Sequence, residues 1–170
     1  KVCEMKFDKK GKMLHARFAD AFIRSKARLT YQEAFTMLKG HDKGEVPSMV
    51  REAWKLASIL RRNRYAKGAL DLDFPEVRAV MDKDGRVTDI ITEEYDESHQ
   101  LIEECMLAAN EAVALTLKNR NRPTIYRVHE EPDSAKLFEF GQLCKLYGHS
   151  VHDIGQRQYL NELMKSIKGS

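Results

Sequence analysis

The sequence predicts an α+β fold in which antiparallel hairpins pack with long helices, and three observations predict it. Short alternating segments come in adjacent pairs around Gly-containing turns, Asp8-Lys9-Lys10-Gly11-Lys12 and Asp82-Lys83-Asp84-Gly85. Longer segments repeat apolar residues at helical spacing. The resulting order, β-β-α-α-β-β-β-α-β-α-α, contains no βαβ unit and no internal duplication.

Residues 2–7 alternate Val2, Glu4, Lys6 against Cys3, Met5, Phe7, the period of a strand. Residues 13–24 read as its weaker hairpin partner. Thr30 caps the first helix, with Glu33 three residues on as a capping box requires, and Gly40 ends it. Pro47 opens a helix over about 48–66 that aligns Val50, Trp54, Ala57 and Leu60, and Gly68 stops it. Residues 69–73 and 77–82 read as strands, and Val87 to Glu93 returns from the second turn. A helix over 96–119 follows, then a short strand from Ile125 to His129. Asp133 starts a helix running to about Tyr147, and a last helix covers 157–167.

A chain of 170 residues, 42% apolar and 32% charged, is long enough for one domain with a core and is not disordered in composition. No window approaches the roughly 18 uncharged apolar residues of a membrane span. Lys1 to Lys10 lack an apolar signal-peptide region and an initiator Met, so the expectation is a piece of something longer. Cys3, Cys105 and Cys144 are odd in number and far apart, and read as reduced core thiols of a cytoplasmic protein. A net charge of +3 is too small to announce a nucleic-acid binder.

The helix over 96–119 is unusually apolar yet carries Glu103 and Glu104 side by side. At 100° per residue, Glu104, Glu111 and Lys118 form one line, expected to face water. Ile102, Cys105, Ala109, Ala112 and Val113 lie opposite and are expected in a core. Glu103, His99 and Asn110 fall between, at the margin of the buried surface. A carboxylate there needs a partner, either a neighbouring protein group or a ligand donor such as a nucleobase edge.

Four blocks, IRSKARLTYQEA, GALDLDFPEVRAVMDKDGRVTDI, SHQLIEECMLAANEAVA and IYRVHEEPD, stand in the order and spacing of the catalytic domain of the bacterial ribonuclease II and ribonuclease R family, which this sequence resembles over residues 23–133. The resemblance implies a processive 3′-to-5′ hydrolytic exoribonuclease that threads single-stranded RNA through a channel and releases nucleoside monophosphates. It implies Mg²⁺ as cofactor, with two-metal activation of water. The family's metal-binding aspartates are expected upstream of this chain and its phosphate-contacting arginine downstream, so no catalytic or metal-ligating residue is assigned here. Flanking cold-shock and S1 domains are likewise expected outside residues 1–170, which form part of the catalytic domain. Tyr31 matches the tyrosine that helps set the RNA 3′ end, and Glu103 the carboxylate that hydrogen-bonds the terminal base. Leu72 stands where relatives often carry a base-stacking phenylalanine and offers a weaker contact, while Phe74 shares its strand face. No membrane or protein partner is expected. An alternative within the family is a member that holds RNA without cutting it.

Other residues divide between two readings. Arg127 faces either RNA phosphate or an acid of the core. Asp71 and Asp73 share a strand face, but they follow the family's aspartate cluster rather than belong to it. Arg61, Arg62 and Arg64 suit a helix C-terminus without any ligand. Arg24, Lys26 and Arg28 read as a solvated face, although they lead into Tyr31. His99, His129 and His152 lack metal-ligand spacing.

Overall fold

A computed structural model describes residues 1–70 and 76–168 of the chain. Four strands and five helices occur among them: β1 (Val2–Phe7), β2 (Met13–Ala19), α1 (Tyr31–Lys39), α2 (Glu45–Ala66), β3 (Glu76–Met81), β4 (Val87–Glu93), α3 (Glu97–Asn119), α4 (Ser134–Leu146) and α5 (Arg157–Lys168). The strands form two antiparallel hairpins, β1–β2 and β3–β4, so the α+β prediction holds. The chain divides into two compact units, one of residues 1–63 with 73–123 and one of residues 64–72 with 124–170.

In the first unit the two hairpins use one turn design. Asp8 Oδ1 accepts from the backbone N–H of Lys10 and Lys12 at 2.8 and 2.9 Å, and Asp82 Oδ1 accepts from Asp84 and Arg86, each at 2.9 Å. Gly11 and Gly85 both sit at φ +77°, a region that L side chains rarely adopt. The turns differ in surroundings. A Cβ on Gly11 would stand 2.7 Å from Ile59 Cγ2 of α2, whereas one on Gly85 would meet nothing within 4 Å. Asn63 Nδ2 also donates to Lys10 O at 2.7 Å, so the first turn is seated on α2.

Thr30 closes the predicted capping box on α1: its hydroxyl accepts from Glu33 N–H, and Glu33 accepts in return from Thr30 N–H. Arg51 of α2 donates to Met37 O at 3.0 Å and Asp42 O at 2.7 Å, satisfying carbonyls at and just beyond the C-terminal end of α1. The α3 helix packs against α1 and β1. In the second unit, Cys144, Ile154 and Leu163 form a small core with Leu137, Phe140, Val151, Leu160 and Ile167 packed on it. A Cβ on Gly141 would press on Ile154 and Val151 at 3.1 and 3.3 Å, so this glycine lets α4 approach that core closely.

Several boundaries and one element depart from the sequence reading. The second strand ends at Ala19 rather than residue 24, because the register pairs Ala19 with Val2 and β1 goes no further. The second helix starts at Glu45, ahead of Pro47. Residues 125–129 are not a strand: no described strand lies alongside to accept their backbone hydrogen bonds, and Ile125 is fully exposed. Ala69 and Leu70 carry no regular structure, and the rest of the strand expected over 69–73 lies outside the described residues. The three thiols are free, but only Cys144 is a core residue, and burial raises its pKa; Cys105 is exposed.

The largest correction concerns the face that α3 buries. Ser98, Leu101, Glu104, Ala108 and Ala112 lie inward, while Ile102, Cys105 and Val113 are exposed. Glu104, expected in water, is 3% exposed. The apolar arc of this helix is wide enough that its pattern does not fix the rotation. Packing against α1 and β1 does, and a guanidinium from α2 compensates the carboxylate carried inward.

Candidate functional site

The N-termini of α1 and α3 bring together side chains far apart in sequence. Tyr31 opens α1. His99 and Glu103 stand one turn apart on α3, on the same side of the helix. The Tyr31 and His99 rings stack with centroids 3.7 Å apart and planes inclined by 21°. Tyr95, in the segment leading into α3, has its ring 5.8 Å from His99 and donates its hydroxyl to Glu103 Oε2. Tyr31 and Glu103, the two residues singled out for the RNA 3′ end, therefore belong to one continuous cluster.

Behind the cluster, Arg61 of α2 places Nη1 3.7 Å from Glu103 Oε2 and 3.9 Å from Glu104 Oε1. Of the two acids, Glu103 is the outer, with a side chain 36% exposed, and Glu104 the inner. The need of Glu103 for a partner is met within the protein, by Tyr95 and Arg61.

His99 is anchored from the other side. Asp96 caps α3, its carboxylate accepting from the N–H of Ser98 and His99, and His99 Nδ1 lies 3.0 Å from Asp96 Oδ1. Burial pushes the Asp96 carboxyl up, but hydrogen bonds from Ser98 and His99 together outweigh it and hold the group below its ordinary value. The neighbouring Glu97 is lowered chiefly by the hydrogen bond from Lys39, which ties the end of α1 to the start of α3. Tyr31 also lines a groove of about 790 Å³ together with Arg28, Leu29, Met49, Val50, Leu101 and Ile102. An exposed ring in a mostly apolar groove that also holds a cation is a surface on which a planar group can stack.

Leu72, with Asp71, Asp73 and Phe74, lies outside the described residues. Arg127 belongs to the second unit and is exposed in a segment without regular structure, so the strand expected over Ile125–His129 does not orient it. Lys26 pairs with Glu45 at 3.1 Å. Among the described residues no group of three or more His, Cys, Asp or Glu is placed to hold a metal ion, so they do not fit a two-metal centre. Also among them, no helix is long and apolar enough to cross a membrane. Sequence reasoning missed His99, Tyr95 and Arg61 as members of the site. The spacing of His99 and Glu103 was the available signal for the first; nothing local pointed to the others.

The RNB domain model matches residues 1–169, and the chain belongs to the RNB domain family. Curated relatives include a ribonuclease R of Aquifex aeolicus, 38% identical over 153 residues, and one of Thermotoga maritima, 34% identical over 179 residues. These alignments cover 87% and 95% of this chain but 22% and 24% of the relatives, so the chain spans about a quarter of their length or less. A Mycoplasma genitalium RNase R solved in complex with ribose-methylated single-stranded RNA superposes with a TM-score of 0.86 at 24% identity, covering 98% of this chain and 27% of that one. That likeness extends the fold assignment to nearly the whole of residues 1–170.

Proposed function

We propose that the polypeptide carrying this chain is a processive 3′-to-5′ exoribonuclease that hydrolyses single-stranded RNA to nucleoside monophosphates, and that residues 1–170 are part of its catalytic domain. Family membership and relatives named ribonuclease R support the activity, and the RNA complex of the Mycoplasma genitalium protein supports the substrate. One observation carries the assignment of roles: Tyr31 and Glu103 meet in a single cluster through His99 and Tyr95.

In this reading Tyr31 seats the RNA 3′ end and Glu103 accepts a hydrogen bond from the terminal base. Leu72 packs on a base face, and Arg127 contacts phosphate. Divalent cations, Mg²⁺ first among them, supply activation of water when bound. Their carboxylate ligands, the phosphate-contacting arginine and the cold-shock and S1 domains belong to the rest of the polypeptide. The residues described here bind and orient, and no bond-breaking step is assigned to them. The protein works in the cytoplasm.

The test is an RNA ladder. Full-length protein with 5′-labelled single-stranded RNA and Mg²⁺ shortens the label stepwise from the 3′ end, releases mononucleotides, and stops on chelation. Retention of RNA without shortening would assign the protein to the non-cutting members instead.

A further inference from the structure

We infer that Arg61 is a positioning residue for Glu103, anchored by the buried carboxylate of Glu104. The inference rests on the reading that Glu103 contacts the terminal nucleotide. Arg61 projects from the C-terminal part of α2, and its side chain is 18% exposed. Its Nη1 stands 3.7 Å from Glu103 and 3.9 Å from Glu104, charge-pairing distances to two acids that are adjacent on α3.

The two acids play unequal parts. Glu104 is almost wholly covered, and a covered carboxylate must be compensated where it stands. That requirement fixes the guanidinium. Glu103 is partly open, and its Oε2 lies between the Tyr95 hydroxyl and the fixed guanidinium. A glutamate free to rotate would sample several rotamers, and holding it costs side-chain entropy. Arg61 and Tyr95 meet that cost before a ligand arrives. The arginine cluster at the end of α2, explicable by the helix dipole alone, thus contains one member that reaches the site.

Removing Arg61 by itself takes a guanidinium from beside the buried Glu104 carboxylate and risks the fold, so the decisive variant changes both: Arg61→Met with Glu104→Gln in the full-length protein. With folding checked by circular dichroism, KM for a short single-stranded RNA should rise about tenfold, the scale of loosening one charge-assisted contact, while kcat stays within about twofold. Adding Glu103→Gln to that variant should produce little further rise, because both changes act through one carboxylate. A folded variant with wild-type KM, or effects that multiply, overturns the inference. The ¹³C resonance of the Glu103 carboxyl gives a readout without RNA. It should shift in the double variant, and an unchanged resonance refutes positioning even if the protein proves not to be a nuclease. Wild-type protein that leaves RNA intact, with that resonance shifting as expected, would sink the functional reading and leave Arg61 in its role.

Discussion

The ring of Tyr31 lies on the ring of His99 with centroids 3.7 Å apart, joining the start of α1 to the first turn of α3. The His99 ring is held in turn by Asp96, so Tyr31 rests on a support that is itself tied down. An aromatic stack of this kind contributes about 0.5–1.5 kcal/mol beyond burial. His99→Ala should therefore lower stability by that amount and let the tyrosine ring tilt, while His99→Phe should restore most of both. In the full-length protein, Tyr31→Ala and His99→Ala should both change the length of the smallest RNA left undigested, and His99→Phe should not. Product ladders on a sequencing gel decide it; an unchanged end product for Tyr31→Ala removes this residue from the 3′ end.

The inner and outer places of the paired acids predict unequal costs. Glu104→Ala opens a space in the packed side of α3 and takes the buried carboxylate from beside Arg61, a loss of order 3 kcal/mol. Glu103→Ala removes a partly exposed group and should cost about 1 kcal/mol or less. Urea midpoints of the two variants give the order directly. If Glu103→Ala proved the more damaging, the rotation assigned to α3 would be wrong.

Much of the fold was legible because its signals are local. Thr30 and Glu33 sit three residues apart and close their box as expected, and Asp133 caps α4 where the sequence placed it. The first strand and the β3–β4 hairpin fall within a residue of their expected ends. Illegible features depend on partners remote along the chain. The rotation of α3 depends on α1, β1 and Arg61, none of which an apolar pattern within α3 can report. The segment from Ile125 to His129 has strand propensity but no described edge to pair with, so propensity alone misled. Of the site, Tyr31 and Glu103 came from matched motifs and His99 was placed on the stripe of Glu103 by spacing alone, whereas Tyr95 and Arg61 became visible only when the elements were set side by side.

Two glycines at the same φ, Gly11 and Gly85 at +77°, should respond differently to the same substitution. Gly85→Ala faces only the left-handed conformation, about 1 kcal/mol. Gly11→Ala meets that and also the approach of a new Cβ to Ile59 and Asn63 of α2, at 2.7 and 3.0 Å. Overpacking adds about 1–3 kcal/mol, so Gly11→Ala should lower the melting temperature by at least twice as much. Equal shifts would mean that the first hairpin turn does not rest on α2.

Acid should weaken the start of α3 through Asp96. Its carboxyl lies below its ordinary value in the folded chain, because the hydrogen bonds from Ser98 and His99 exceed the opposing effect of burial. A depressed carboxyl makes the unfolded chain the greater binder of protons. The stability it contributes is thus complete well above the ordinary value, near pH 4, and is lost as pH falls through the lower folded value. Glu97, lowered by Lys39, acts in the same direction over the same range. Asp96→Ala should cost about 1 kcal/mol at pH 7, the usual worth of an N-cap, and less at pH 3. Urea titrations of wild type and variant at the two pH values measure the gap. A gap that stayed constant would show that the ionised cap contributes nothing that its protonated form lacks.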